Sequence, residues 1–291
     1  LKNTGMYERL GIMTLSSILK QNGHEVKLLL TEELGEKKIV ENVKISKPHV
    51  LAYSIMTGEH IYHIELNQMV RSHYKNALSV FGGPHPTYSP EMIEKEHVDA
   101  ICRGEGEIYF PQLVEKLEKG EDFYDIKNFW FKKKDGSIVK NSIGSLVQNL
   151  DNVPSPDRKL MYDSDKALRA RGTKLFMATR GCPYQCTYCF NHVYNTLTKG
   201  KGEMIRSRSV NSIIKEIKEV KDNYFMDRVN IDDDIFLLKP KGWLEEFAEK
   251  YPKEIGLPIF CNVRPETVSE KTGFLLKKMN CTHAAMGIEC G

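Results

Sequence analysis

Arg180-Gly181-Cys182-Pro183-Tyr184-Gln185-Cys186-Thr187-Tyr188-Cys189-Phe190-Asn191 is a segment with three cysteines in a C-x3-C-x2-C spacing. It directly follows an apolar, strand-like run from Leu175 to Thr179. Three thiolates on one short loop can bind three irons of a [4Fe–4S] cluster and leave the fourth iron without a protein ligand. The segment therefore predicts an iron–sulfur site with one iron open to a small molecule.

The same cysteines leave a second kind of metal site open. His192 lies three residues beyond Cys189, so a closed Cys3His zinc site with a structural role is also possible. A disulfide framework is disfavoured, because seven cysteines in 291 residues is an odd number and the chain is not a small cysteine-dense scaffold. The remaining cysteines lie in apolar runs and are expected to pack as small hydrophobic residues: Cys102, Cys261, Cys281 and Cys290.

Composition is that of an ordinary globular protein, with 41% apolar and 28% charged residues. Lysine and arginine number 42 against 39 acidic residues, so charge gives no support to binding of nucleic acid or a membrane surface. No apolar run approaches the ~20 residues that cross a bilayer, and no leader segment is evident, so we expect a cytoplasmic protein. Because residue 1 is leucine and the sequence stops where a strand would become a loop, we expect a fragment lacking both ends, inactive by itself.

The first 120 residues alternate between helical and strand patterns, which favours a parallel, doubly wound sheet. Helices are predicted over residues 6–21, 33–46, 60–75, 90–96 and 107–119, and strands over 25–30, 50–55, 78–81 and 99–102. The strand that should precede the opening helix is missing from the sequence. Glycine-containing turns at 82–85 and 103–107 follow two of the strands, and ligands of such sheets bind at the carboxyl ends of strands.

A second βα pattern begins near residue 171, after a hairpin at 128–140 with an Asp135-Gly136 turn and a proline-rich stretch at 150–157. Strands are predicted over 174–179, 228–231, 258–262 and 283–288, and helices over 210–222, 240–251 and 266–279. Polar residues again follow the strands. Asp232-Asp233-Asp234 ends the second predicted strand, Arg264 the third strand and Glu289 the fourth strand. Active sites of βα barrels collect at these strand ends.

Two sets of motifs together resemble a known family. The C-x3-C-x2-C spacing, with Tyr188 before the last cysteine, resembles the signature of the radical S-adenosylmethionine (SAM) enzymes. Four upstream motifs resemble the cobalamin-binding domain that many of these enzymes carry: Glu8-Arg9-Leu10-Gly11-Ile12, Asn22-Gly23-His24-Glu25-Val26, Gly82-Gly83-Pro84-His85-Pro86-Thr87 and Arg103-Gly104-Glu105-Gly106-Glu107. The resemblance covers residues 8–291.

The resemblance implies an α/β architecture: a Rossmann-like, doubly wound parallel sheet followed by a partial (β/α)6 radical SAM barrel, truncated after about four strands. The implied domains are a cobalamin-binding domain over residues 1–140 that lacks its first strand, a linker over 141–170 and an incomplete radical SAM core over 171–291. The cobalamin motif D-x-H-x-x-G, whose histidine binds cobalt, does not occur in the sequence. Many family members lack it, so cobalamin without a histidine ligand is implied.

Site residues follow from the same resemblance. The [4Fe–4S] cluster is assigned to Cys182, Cys186 and Cys189. Contacts with SAM are assigned to Tyr188, Asp232, Asp233, Arg264 and Glu289, and contacts with cobalamin to Gly82, Gly83, His85, Gly104 and Glu105. A capping turn also accounts for at least one of the three aspartates, and Arg264 and Glu289 could instead pair with each other. Gly287-Ile288-Glu289-Cys290-Gly291 resembles a G-I-E-S-G string of this family, with Cys290 in place of the serine.

The implied activity is reductive cleavage of SAM to a 5′-deoxyadenosyl radical, followed by cobalamin-dependent methyl transfer to an unactivated carbon. Cyclisation or rearrangement without methyl transfer is the alternative within the family, and a zinc-stabilised binding module is the alternative from another class. The expected partners are a small-molecule or peptide substrate and an electron donor such as flavodoxin or ferredoxin. Neither nucleic acid nor a membrane is expected as a partner.

Overall fold

Two sheets with parallel strands organise the chain in the computed structural model, which describes residues 8–288. The first sheet has the order β1 (Val50–Ser54), β2 (Leu78–Gly82), β3 (Ala100–Cys102), β4 (Phe129–Lys132) and β5 (Ile138–Lys140). β1, β2 and β3 are parallel, as the sequence pattern predicts. The predicted hairpin forms β4 and β5 and extends this sheet in antiparallel fashion.

Helices cover both faces of the first sheet, which confirms its doubly wound α/β character. They are α1 (Leu10–Gln21), α2 (Thr31–Leu34), α3 (Glu36–Ser46), α4 (His60–His73), α5 (Pro84–Tyr88) and α6 (Tyr109–Lys119), with a 3-10 helix at Pro90–Glu94. Val80 of β2 packs with Leu113 of α6, whereas the next residue, Phe81, packs with Ile64 of α4 on the other face. Successive side chains of a strand point to opposite faces, so both faces of β2 are buried.

The strand predicted over residues 25–30 is not formed, and that prediction is wrong. The segment is irregular, and β1 is the edge of the first sheet. Its apolar side chains pack into three separate clusters instead: Val26 with the α6 cluster, Leu29 with the α3 cluster and Leu28 beside Met161. A strand needs a neighbouring strand to which it can hydrogen-bond. The apolar pattern of residues 25–30 does not show that, among the described residues, no strand lies beside this segment.

Four parallel strands form the second sheet, in the order β11 (Cys281–Met286), β10 (Ile259–Val263), β9 (Arg228–Ile231) and β6 (Thr173–Phe176). Helices α10 (Val210–Asn223), α11 (Trp243–Glu254) and α12 (Glu270–Lys278) cover it, and stacked aromatic rings, among them Trp243 and Phe247, fill the core beneath them. The four predicted strands are confirmed, but the first is shorter than expected. Residues 177–178 break it, and β7 (Thr179–Arg180) then pairs with β8 (Arg206–Ser207) in a separate two-stranded ladder.

The segment 141–170, which the sequence indicates as a linker, contains a 3-10 helix at Leu150–Asn152 and two α-helices, α7 (Arg158–Ser164) and α8 (Lys166–Ala170). Asp157 and Asp165 cap these α-helices by accepting backbone N–H groups of Leu160 and Leu168. Hydrophobic periodicity did not predict these helices because they span only 7 and 5 residues, too few for a helical repeat to be recognised. Across residues 8–288 we found no helix with the length and apolar character needed to span a membrane.

Lys174 of β6 is fully buried and caps the end of α8. Its Nζ donates to the carbonyls of Leu168 at 2.8 Å and Arg169 at 3.0 Å, and lies 4.2 Å from the centre of the Tyr162 ring. Burial lowers the pKa of Lys174 to about 8. The ammonium is therefore less favoured in the folded chain than in the unfolded chain, where a lysine pKa is about 10.4.

We expect Lys174→Met to alter how stability depends on pH. Between pH 8 and about 10.4 the unfolded wild type binds more protons than the folded protein, so its free energy of unfolding should rise with pH. The variant lacks this group. The free energy of unfolding of the variant minus that of the wild type should therefore be most positive below pH 8 and decrease towards pH 10. Urea titrations at pH 7, 8, 9 and 10 measure the difference. Lys218→Met, at an exposed position on α10, is the control, and parallel curves for wild type and Lys174→Met would refute the assignment.

Candidate functional site: a cavity between the two sheets

A cavity of about 1230 Å³ is lined by residues from both sheets. The first sheet contributes the turns after β2 and β3, including Gly82, Gly83 and Gly104. The part of the chain that carries the second sheet, called the second unit, contributes the two ends of the cysteine loop, the residue that follows it and two aspartates beyond β9: Gly181, Phe190, Asn191, Asp232 and Asp234. The carboxyl ends of strands from both units thus open into one space, where ligands of parallel sheets bind.

The cysteine loop runs from β7 to α9 (Asn191–Leu197). It starts at Gly181, whose φ of 94° lies in the left-handed region and whose added Cβ would fall 2.1 Å from the Met204 carbonyl oxygen. Only glycine fits there. Cys189 donates its backbone N–H to the Cys186 carbonyl at 3.0 Å, and the Asn195 side chain donates to the Cys182 carbonyl at 2.9 Å. The turn therefore has a defined shape.

The chemistry of this loop fits an iron–sulfur cluster. Cys182 is buried, Cys186 and Cys189 are half-buried, and all three are free thiols. Burial raises the pKa of Cys182, and Asp234 and the other two cysteines raise it further, so the neutral thiol is favoured unless a metal binds the thiolate. In residues 8–288, no three side chains of His, Cys, Asp or Glu gather as ligands of a single metal ion. A cluster places each thiolate on a different iron, and three thiols on one loop supply that donor set.

Arg264 lies beside the cysteine loop. It follows β10 and donates from Nη1 to the Cys186 sulfur at 3.1 Å, while its guanidinium stacks 4.0 Å above the Tyr184 ring. Its Nη2 pairs with Glu266 at 2.9 Å. Arg264 thus brings a positive charge, held by an aromatic ring, next to a cysteine sulfur.

The three consecutive aspartates have different environments. Asp233 is buried, accepts the backbone N–H groups of Ala178 and Thr179 at 2.8 Å each, and forms an ion pair with buried Lys239. Its carboxylate is used within the fold and does not line the cavity. Asp232 and Asp234 do line it. Both side chains are in contact with solvent, but the surrounding walls remove part of their hydration. This desolvation, together with repulsion from neighbouring acids, raises the pKa of both carboxyl groups.

The turn after β2 approaches β1 closely. Gly83 has a φ of 93°, and an added Cβ would lie 2.9 Å from the Ile55 carbonyl oxygen. His85, in the same motif, is buried outside the cavity: its ring stacks on His60 with centroids 4.0 Å apart, and its Nδ1 lies 3.1 Å from the Thr57 hydroxyl. Burial, followed by the nearby His60, lowers the pKa of His85. Gly82, Gly83 and Gly104 thus line the cavity, whereas His85 does not.

Glu105 lines the cavity but is paired with residues of the second unit. It forms ion pairs with Arg180 at 3.2 Å and with Arg206 at 2.8 Å. Among the other predicted residues, Tyr188 is 67% exposed, and Glu289 lies outside the described residues. The structure therefore places two aspartates and the glycine turns on the cavity wall, and Arg264 against Cys186 of the adjoining loop. It gives Asp233, His85 and Glu105 contacts within the protein.

Sequence reasoning missed Tyr88 and Tyr194, which also line the cavity. Tyr88 ends α5, and its ring centroid lies 5.5 Å from that of Phe190 in the cysteine loop. Burial raises the pKa of Tyr88, and the nearby Cys189 and Asp234 raise it further. Tyr194 of α9 approaches Gly104, whose added Cβ would lie 3.6 Å from the phenolic oxygen. No motif identifies these tyrosines, since their role depends on contacts between the two units.

Comparisons with known proteins agree with this arrangement. A family model described as "B12 binding domain" matches residues 3–114. An uncharacterised methyltransferase of Pyrococcus horikoshii is 28% identical over 96% of this chain and 60% of its own length. The anaerobic magnesium-protoporphyrin IX monomethyl ester cyclase of a Synechocystis species is 26% identical over 89% of this chain and 52% of its own length. The chain thus spans little more than half the length of these curated relatives.

A solved structure shares the fold over the whole chain. The cobalamin-dependent S-adenosylmethionine radical enzyme OxsB, solved with aqua-cobalamin and S-adenosylmethionine bound, superposes with a TM-score of 0.81 at 21% identity. The match covers 100% of this chain and 42% of OxsB. The chain therefore has a B12-binding domain match over residues 3–114 and a fold shared with OxsB, and it resembles the radical SAM enzymes that carry a cobalamin-binding domain.

Proposed function

We propose that the protein is a radical SAM enzyme that binds a [4Fe–4S] cluster through Cys182, Cys186 and Cys189 and transfers a methyl group to an unactivated carbon with the help of cobalamin. The observation that carries the proposal is the shared cavity. Gly181 and Phe190, at the two ends of the cysteine loop, line the same space as the glycine turns of the B12-binding domain. When bound, the cluster would supply the electron that cleaves SAM, and cobalamin would supply the methyl group.

The charges beside the loop suit the methionine end of SAM. The guanidinium of Arg264, 3.1 Å from the Cys186 sulfur, would bind a carboxylate near the open iron. Asp232 and Asp234, on the cavity wall, would accept hydrogen bonds from an ammonium group. Such charge-assisted hydrogen bonds are stronger than neutral ones. Tyr188 and Glu289 remain proposed contacts on the strength of the family resemblance alone.

Cobalamin would lie against the glycine turns. Gly82 and Gly83 expose backbone to the cavity, and Gly104 follows β3 with a φ of 78°. A backbone without side chains allows a large planar ligand to approach closely. The contacts of His85 lie with His60 and Thr57, so the proposal does not include it as a ligand to cobalt.

Two alternatives have specific support. The similarity to a magnesium-protoporphyrin ester cyclase supports radical chemistry without methyl transfer. A zinc-stabilised binding module would use His192, whose Nδ1 is buried without a hydrogen-bond partner in the described part of the chain, although no three such ligands converge there on one position. We propose a small-molecule or peptide substrate and a reductant such as flavodoxin or ferredoxin for the whole protein.

The test uses SAM labelled in its methyl group and the whole protein, reconstituted anaerobically and supplied with cobalamin and a reductant. We expect 5′-deoxyadenosine to form and label to appear in methylcobalamin. Asp232→Asn should lower the rate of deoxyadenosine formation, whereas Glu249→Gln, on the outer helix α11, should not. Deoxyadenosine without label in cobalamin would favour the cyclase alternative. A protein with one zinc per chain, no iron–sulfur absorbance before cobalamin is added and no deoxyadenosine would favour the binding module.

A further inference from the structure

Two arginines lie side by side where the cysteine loop begins. Arg180 of β7 and Arg206 of β8 are register partners in the two-stranded ladder. Like charges placed directly opposite each other on neighbouring strands destabilise the pairing. The side chain of Arg206 is only 3% exposed and that of Arg180 23%, so water screens this repulsion poorly. The ladder therefore needs negative charge supplied from elsewhere.

The B12-binding domain supplies that charge. Arg180 pairs through Nη1 with Glu105 at 3.2 Å and through Nη2 with Glu107 at 2.7 Å. Arg206 pairs with Glu105 at 2.8 Å. Burial acts to lower the pKa of Arg180, but Glu107 and Glu105 hold it above its ordinary value. Both glutamates follow β3 in the motif that resembles a cobalamin-binding turn.

All acceptor positions of Glu105 are used within the protein. Oε1 accepts from Arg180 and Arg206, and Oε2 accepts from Arg206 at 3.0 Å and from the Val147 backbone N–H at 2.8 Å. A carboxylate offers about four acceptor positions. The carboxylate of Glu105 therefore has no free acceptor position for a ligand, although the residue lies on the cavity wall.

We propose that Glu105 and Glu107 are positioning residues, which hold the turn after β3 against the start of the cysteine loop through Arg180 and Arg206. We name these four residues the interdomain clamp. Arg180 is directly bonded to Gly181, whose backbone packs so closely against Met204 that an added Cβ would lie 2.1 Å from the Met204 carbonyl oxygen. A fixed Arg180 therefore fixes the beginning of the loop. The clamp thereby sets the separation between cobalamin and the cluster, a role that rests on the proposed function.

The first measurement does not need either cofactor. Glu105→Gln keeps the shape of the side chain and removes its charge, and Glu107→Gln removes the second contact of Arg180. Hydrogen–deuterium exchange should become at least about tenfold faster in peptides on both sides of the clamp, covering residues 103–107 and 178–184, because a hydrogen bond to a buried charge is lost. Glu246→Gln, paired with Lys250 on the exposed face of α11, should leave both peptides unchanged.

The second measurement separates positioning from ligand binding. In reconstituted protein with cob(II)alamin and a reduced cluster, pulsed electron paramagnetic resonance should give one narrow separation for the wild type and a broader distribution for Glu105→Gln. The dissociation constant for cobalamin should change less than twofold. A loss of affinity above tenfold with unchanged exchange would overturn the clamp in favour of a direct ligand contact, and so would variants identical to wild type in exchange and spin separation. If Glu105→Gln fails to fold, Glu107→Gln carries both measurements.

Failure of the proposed function has a different signature. A wild type that takes up neither cobalamin nor iron would refute that function, while the exchange measurement would still decide whether the four residues join the two units.

Discussion

Cys186→Ala is expected to lose the iron–sulfur cluster and keep its fold. Cys186 is half-buried on the loop, and its sulfur contacts Arg264 rather than the hydrophobic core. Changes in the residues that support a metal ligand already cost about 10–100-fold in affinity, so loss of a ligand should cost more. Iron and sulfide analysis, with visible absorbance after anaerobic reconstitution, measures the result.

The matched control is Cys281→Ala. Cys281 is also a free, partly exposed cysteine, but it lies at the start of β11 and its sulfur is 3.8 Å from that of Cys261. This variant should keep the full cluster content. Undiminished iron and sulfide in Cys186→Ala, with circular dichroism matching the wild type, would contradict the assignment of the loop.

Arg158→Ala should cause a large loss of stability. Arg158 lies at the start of α7 and is 5% exposed, and it joins two buried carboxylates: Glu8 at 3.0 Å and Glu216 of α10 at 2.8 Å. Removing one partner of a buried ion pair leaves an uncompensated charge and costs about 3–5 kcal/mol. Urea denaturation should show this decrease in the free energy of unfolding.

Arg169→Ala provides the comparison for this prediction. Arg169 is 55% exposed and pairs with Asp163 at 3.6 Å, and exposed pairs contribute about 0–1 kcal/mol. Adding Glu8→Gln to Arg158→Ala should recover part of the lost stability, because it removes the buried charge that Arg158 neutralises, whereas Glu216 keeps its ion pair with Arg208. A loss below about 1 kcal/mol for Arg158→Ala would show that the network does not hold the N-terminal segment to the second unit.

The sequence predicted those features that depend on local pattern. Alternating helices and strands gave the two sheets with parallel strands, and the C-x3-C-x2-C spacing located a loop that follows a strand. Glycine turns at strand ends predicted one wall of the cavity. These features need only neighbouring residues, because strand periodicity and turn chemistry are local properties.

Features that depend on distant partners were not predictable in this way. Asp232, Asp233 and Asp234 are the same residue type, so the sequence does not distinguish them. In the fold, Asp233 points inward to Lys239 while its two neighbours line the cavity. Glu105 resembles a ligand contact until Arg180 and Arg206 are placed beside it, 75 and 101 residues away. The segment 25–30 has strand character but no strand partner in the described structure.

Mössbauer spectroscopy of protein reconstituted anaerobically with 57Fe, before and after addition of SAM, tests the central claim most directly. The account predicts the spectrum of a four-iron cubane in which one iron changes on addition of SAM while the three bound by cysteines stay the same. A protein that incorporates no cubane, or a cubane in which all four irons are indifferent to SAM, would contradict it.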